Sequence, residues 1–195
     1  MSADCGSFRP AGIEQEVDVL FRHDSKVDAL LDDWFPRRTI ERVLLVTPPD
    51  AESELFRRAT VKRGRYPNYP PYGLGVLATH LRSIGIEPRI INLNHEILAA
   101  ARACPDDHDF DFDASWKATL TAAIDDFVPD LIGVTCMFTM THRSLKRVCD
   151  HAAAHGVPVA IGGVHVTNDV ERILTDIPSA RIRPPWRSSG VRCEQ

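Results

Sequence analysis

Between Leu131 and His165 the chain passes twice from a short apolar run into a break of small or polar residues, with a helical period between the two. The first run, Leu131-Ile132-Gly133-Val134-Thr135, leads into Cys136-Met137-Phe138-Thr139. The second, Val157-Pro158-Val159-Ala160-Ile161, leads into Gly162-Gly163-Val164-His165. Short apolar runs bounded by turn residues read as buried strands. The stretch from Thr141 to His155 reads as a helix with Leu145, Val148 and Ala152 inward, Thr141 as N-cap and Gly156 at its end. A strand–helix–strand unit of this kind pairs its strands in parallel, so both breaks open at the carboxyl edge of a sheet. That edge is where open α/β sheets bind ligands.

The same alternation runs through the preceding chain. Arg42 to Thr47 is a strand apolar enough to be covered on both faces, and Pro48-Pro49 ends it because proline cannot donate to the ladder. Gly73 to Ile84 is a helix with Leu74, Leu77, Leu81 and Ile84 on one face and Gly85 at its C-cap. Arg89 to Leu93 is the second strand, and Asn94-His95-Glu96 beyond it is either a ligand contact or a polar junction. Trp116, Leu120, Ile124 and Phe127 mark a helix that Pro129 stops. Asn168 is expected to cap a shorter helix through Leu174, and Ala180 to Arg183 reads weakly as a fifth strand. Right-handed crossovers assemble these into a doubly wound parallel α/β sheet, flavodoxin-like or Rossmann-like, in the order 2-1-3-4-5. The expected domain spans residues 41–183, after an N-terminal helical extension over 1–40 and before an irregular tail over 184–195.

Several functions are excluded. The net charge of -4 argues against nucleic acid as a partner, so the polar segment from Asp50 to Pro71, with basic residues from Arg57 to Arg65 followed by Tyr66, Tyr69 and Tyr72, reads as a long loop over the sheet edge, a ligand lid. No apolar run of about 18 residues exists to span a membrane. Met1 to Pro10 has no secretory pattern, and five widely spaced cysteines without CxxC fit a cytoplasmic location. Thr47-Pro48-Pro49-Asp50 contains no dinucleotide-binding glycines, and the chain has neither a P-loop nor a GxSxG elbow. Asp109, Asp111 and Asp113 start a calcium-loop spacing that fails at Ala114 and Leu120. Cys136 is either a nucleophile near His142 or His165 or a buried thiol beside a strand end.

Four motifs remain, in order: Pro48-Pro49 after the first strand, Pro71-Tyr72-Gly73-Leu74 opening a helix, Thr135-Cys136-Met137 after the third strand, and Gly162-Gly163 with Val164-His165 after the fourth. From about Arg42 to Ala180 the chain thereby resembles the cobalamin-binding domain at the N-terminus of many radical S-adenosylmethionine enzymes. The resemblance implies that Thr135 and Met137 line a slot for the cofactor's nucleotide tail and that Gly162-Gly163 lets the tail lie against backbone, although the two glycines would also suit a tight turn. Pro48, Pro49, Tyr72, Gly73, Leu74, Cys136, Val164 and His165 complete the cofactor-binding candidates. No catalytic or metal-ligating residue is assigned. Pro48-Pro49-Asp50-Ala51-Glu52 holds no histidine where the broader family has its cobalt ligand, so cobalamin would bind without a protein histidine.

The family's Cys-x-x-x-Cys-x-x-Cys is absent, and Arg183-Pro184-Pro185-Trp186 replaces its acidic Gly-Glu-Gly-Glu turn. An iron–sulfur cluster and S-adenosylmethionine are therefore expected only if another domain supplies them. The chain reads as a cofactor-binding module without catalysis of its own. Its partners would be cobalamin and either a separate radical domain or a second copy met through the N-terminal arm. The alternative is a cofactor-free interaction domain or a truncated remnant of such an enzyme.

Overall fold

The structure, a computed structural model, describes residues 39–105 and 110–180. The expected N-terminal arm, Asp106 to Asp109, nearly all of the expected fifth strand and the tail lie outside these residues.

Among the described residues four parallel strands form the sheet: β1 (Arg42–Thr47), β2 (Glu87–Asn92), β3 (Leu131–Thr135) and β4 (Val159–Gly162). Their spatial order is β2-β1-β3-β4, as the crossover rule requires of the first four strands. The chain reverses direction across the sheet after β2, so β1 and β3 are neighbours whose following loops diverge. Helix α1 (Arg58–Lys62) and helix α2 (Tyr72–Ser83) lie between β1 and β2. Helices α3 (Leu93–Ala103) and α4 (Phe112–Phe127) lie between β2 and β3. Helix α5 (His142–Ala154) joins β3 to β4, and α6 (Val164–Asn168) and α7 (Val170–Asp176) follow.

The pleat divides the strand residues between two cores. Leu44, Val46, Ile132, Val134, Val159 and Ile161 face α3, α4 and α5, together with Trp116, Leu120, Leu145 and Ile173. Each such fully buried side chain is worth about 1.5–3 kcal/mol. On the opposite face, Val43 and Leu45 pack with Leu74 and Ala78 of α2, flanked by Leu81, Ile86 and Leu131. Helix α2 packs on β1 and β2. Among the described residues no helix covers β3 and β4 on that face.

Four expectations need correction. The apolar stripe of α2 is only partly inward, since Leu77 is 43% and Ile84 59% exposed among the described residues. Helix α3 begins directly at Leu93, where a strand end was expected; Asn92 caps it by accepting from the His95 N–H at 3.1 Å. Asn168 ends α6 instead of capping a helix, and α7 starts after Asp169 without a side-chain cap. Thr141 precedes α5 after a 3-10 turn, but its hydroxyl donates to Phe138 O at 2.8 Å and caps no helical N–H.

Candidate functional site at the carboxyl edge of the sheet

The loop after β1 is held by Asn94. The Asp50 N–H donates to Asn94 Oδ1 at 3.1 Å, and Asn94 Nδ2 donates to Pro67 O at 3.1 Å. One buried amide thus ties the β1 loop to the segment entering α2, which makes it a structural junction. Arg58, Phe56 and Tyr66, further back in that segment, are also structural. Arg58 is buried and donates to Ala101 O and Cys104 O, while Phe56 stacks on Tyr66 and packs against Phe110 and Phe112. Only Tyr69 to Leu74 borders the sheet edge as the expected lid would.

The β3 and β4 loops lock together through main chain. Cys136 N–H donates to Gly162 O at 2.8 Å, and His165 N–H donates to Cys136 O at 3.2 Å. Gly163 between them has φ +106°, and a Cβ there would lie 2.4 Å from Cys136 O. No residue but glycine fits that conformation and that approach. The Cys136 thiol is buried against Phe138 O and Thr141 Oγ1, and burial pushes its pKa up. It is an inert core thiol, not a nucleophile primed for attack.

These loops enclose a cavity of about 130 Å³ between the end of β1, Tyr69 to Leu74, and Thr135 to Phe138. A second space of about 360 Å³ is a groove running down the uncovered face of β3 and β4 beside α2. The two share Gly73, Leu74 and Thr135. The groove exists because, beyond Leu131, the residues the pleat sends to that face of β3 and β4 are small. Gly133 and Thr135 on β3 sit in register with Ala160 and Gly162 on β4. A Cβ at Gly162 would meet nothing within 4 Å, so hydrogen at this position keeps the upper groove open. Met137, Phe138, Met140 and Tyr72 are exposed large apolar side chains on the β3 loop and at the start of α2.

Burial raises the Asp50 pKa at the cavity wall. Behind the β4 loop, His165 is 2% exposed and its Nε2 lies 3.0 Å from His142 Nδ1. His142 Nε2 lies 3.2 Å from Asp176 Oδ2. With both rings neutral and the His142 proton on Nε2 facing the carboxylate, His142 Nδ1 accepts from His165 Nε2–H; a positive His142 has no acceptor to offer and repels a proton on His165. Burial, then the facing His142 ring, hold His165 below the usual histidine range, with Asp169 opposing and Arg172 adding to the effect. The unfolded chain therefore binds this proton more tightly than the folded one. The group's contribution to stability is complete above about pH 6.5 and is lost as pH falls through the depressed folded value. Thermal unfolding followed from pH 7.5 to 5 should show a falling midpoint, with a shallower fall in His165→Gln; equal slopes would refute the assignment.

The structure brings Pro48, Tyr72, Gly73, Leu74, Thr135, Cys136 and Met137 to the cavity, and Gly73, Leu74, Thr135, Gly162 and Gly163 to the groove. Pro49 is buried, Val164 starts α6 in solvent, and His165 turns inward; none of the three borders either space. Thr47, Asp50, Tyr69 and Phe138 of the cavity, and Gly133 and Ala160 of the groove, were not singled out from sequence. The period-two placing of small residues on two successive strands was a readable signal for the last two.

The B12 binding domain family model matches residues 60–182. No curated protein matches the chain. Among solved structures, a cobalamin-binding protein from Desulfitobacterium hafniense DCB-2, solved at 1.5 Å, is similar with 13% sequence identity and a TM-score of 0.42. That similarity covers 85% of this chain and 67% of the other.

Proposed function

We infer the function from one premise: this chain belongs to the B12-binding domain family. The groove beside α2 then receives the nucleotide tail of cobalamin, and the cavity and apolar loops at the sheet edge face the corrin. The observation that carries this reading is the side-chain-poor floor of Gly133, Thr135, Ala160 and Gly162, which a Cβ at position 162 would begin to fill. An extended, polar tail fits a channel whose floor is largely main chain.

Thr135 borders both cavity and groove, Met137 lines the cavity, Leu74 and Leu77 wall the groove from the α2 side, and Gly163 fixes the β4 loop at its end. No histidine stands in the β1 loop, and His142 and His165 are committed to each other and to Asp176. The cofactor is therefore held without a protein histidine on its cobalt. Alkyl or electron chemistry at cobalt belongs to the cofactor; this chain binds, orients and shields. The order of Pro48-Pro49, Pro71-Tyr72-Gly73-Leu74, Thr135-Cys136-Met137 and Gly162-Gly163 supports service to a radical S-adenosylmethionine enzyme, with its cluster supplied by another domain. Cys104, Cys136 and Cys149 as free thiols suit the cytoplasm.

The test is titration of the purified chain with hydroxocobalamin. A saturable change in the visible spectrum, with cobalamin co-eluting in gel filtration, is expected. An unchanged spectrum and separate elution would overturn the reading and leave the cofactor-free interaction domain.

A further inference from the structure

On the helical layer opposite α2, two histidines at the end of α5 converge on one atom of α4. His151 lies in the last turn of α5 and His155 is its C-cap. Four residues apart, they stand one turn above the other on the same side of the helix. His151 Nε2 lies 3.0 Å from Thr121 Oγ1, and His155 Nε2 lies 3.3 Å from the same oxygen. The two rings meet edge to face with their centroids 5.3 Å apart. Buried Trp116 packs against the His151 ring at 5.4 Å, while His155 is open to solvent. One ring is thus held by the core and the other is reached from outside.

A hydroxyl has one hydrogen, so Thr121 can donate to only one of the two nitrogens and can only accept from the other. A metal ion takes both lone pairs at once. The helix fixes the spacing of the two imidazoles before any ion arrives, so they act as linked ligands. The last turn of a helix also carries its partial negative charge, which favours a cation there. Burial first, then the facing His155 ring and the Lys117 ammonium, hold His151 below the usual histidine range, against an opposing hydrogen bond with the Lys117 main chain. The ring is therefore neutral at neutral pH, as a metal ligand must be. Lys117 opposes a cation, but its ammonium lies over the Trp116 ring on an exposed side chain and is screened by solvent. Among the described residues no cluster of three histidines, cysteines or carboxylates forms, so water completes the coordination and the ion exchanges. We propose that His151 and His155 form a two-histidine chelate for a divalent transition-metal ion of the nickel, copper and zinc class. Imidazole suits these ions, whereas magnesium and calcium take oxygen ligands. The site lies across the sheet from the groove, and it does not rest on the cobalamin reading.

The test is calorimetric titration of the untagged full chain with Ni2+ near neutral pH, with Mg2+ as the contrast. Ni2+ should bind and raise the thermal midpoint, because it binds the folded chain; Mg2+ at the same concentration should do neither. His151→Gln and His155→Gln should each weaken Ni2+ binding at least about 10-fold, the loss of one arm of a chelate, and should remove the rise in midpoint. His155 is exposed, so His155→Gln should melt as the wild type does without metal, which assigns its loss to the ligand and not to the fold. His80→Gln, at an exposed histidine of α2, should change neither quantity. A wild type that does not bind Ni2+, or binding that His151→Gln and His155→Gln leave intact, would overturn the site. Binding that His80→Gln weakens as much would overturn it as well.

Discussion

Replacing Gly162 with leucine should leave the domain folded and weaken cobalamin binding about 100-fold or more, a loss of about 2.7 kcal/mol. The two halves of this expectation come from one geometry. Gly162 is the last residue of β4, it does not have a positive φ, and a Cβ there has no neighbour within 4 Å. A Cβ thus meets no protein atom, and the side chain built on it grows into the groove and takes the volume proposed for the nucleotide tail. A series of alanine, valine and leucine should lose affinity in step with volume while the thermal midpoint stays near that of the wild type. Undiminished binding in Gly162→Leu would mean that the tail does not lie on this face of β4.

Gly163→Ala should do the reverse, destabilising the fold by about 3 kcal/mol or more before binding is considered. The adjacent glycine has φ +106° and its missing Cβ would press 2.4 Å from Cys136 O. Relieving that contact means parting the β4 loop from Cys136, the strand end to which His165 N–H donates. A useful comparison is Gly64→Ala. Gly64 also has a positive φ, +65°, but nothing lies within 4 Å of its Cβ position. That change should cost only about 1 kcal/mol, the conformational penalty alone. Urea unfolding of both variants separates the backbone term from the clash; equal losses would show that the Cys136 contact relaxes at no cost.

The contrast between these two glycines shows how far the sequence could be read. Gly162-Gly163 was legible as one motif after a strand, but its halves do different work. One leaves room for a ligand and the other lets two loops touch, and only the pairing of Thr135 with Gly162 makes that visible. The sheet order was legible because apolar runs and right-handed crossovers leave few arrangements. The groove was legible only in the period-two spacing of Gly133 with Thr135 and of Ala160 with Gly162, which the pleat places on one face. His165 was read as a site residue because it follows the glycines. In the structure α6 starts at Val164 and turns His165 under the loop to His142. Helix α3 was missed because Leu93-Asn94-His95-Glu96 continues the strand's apolar run into polar residues, while the alanines at 99, 100, 101 and 103 carried the helical preference.

The central claim is that the nucleotide tail lies in the groove of β3 and β4, away from the cobalt, with no histidine of this chain in its place. Electron paramagnetic resonance of the chain loaded with cob(II)alamin tests it most directly, because a nitrogen ligand splits each cobalt line into three. Lines without nitrogen splitting are predicted. A triplet, from the cofactor's own base or from a histidine, would contradict the account.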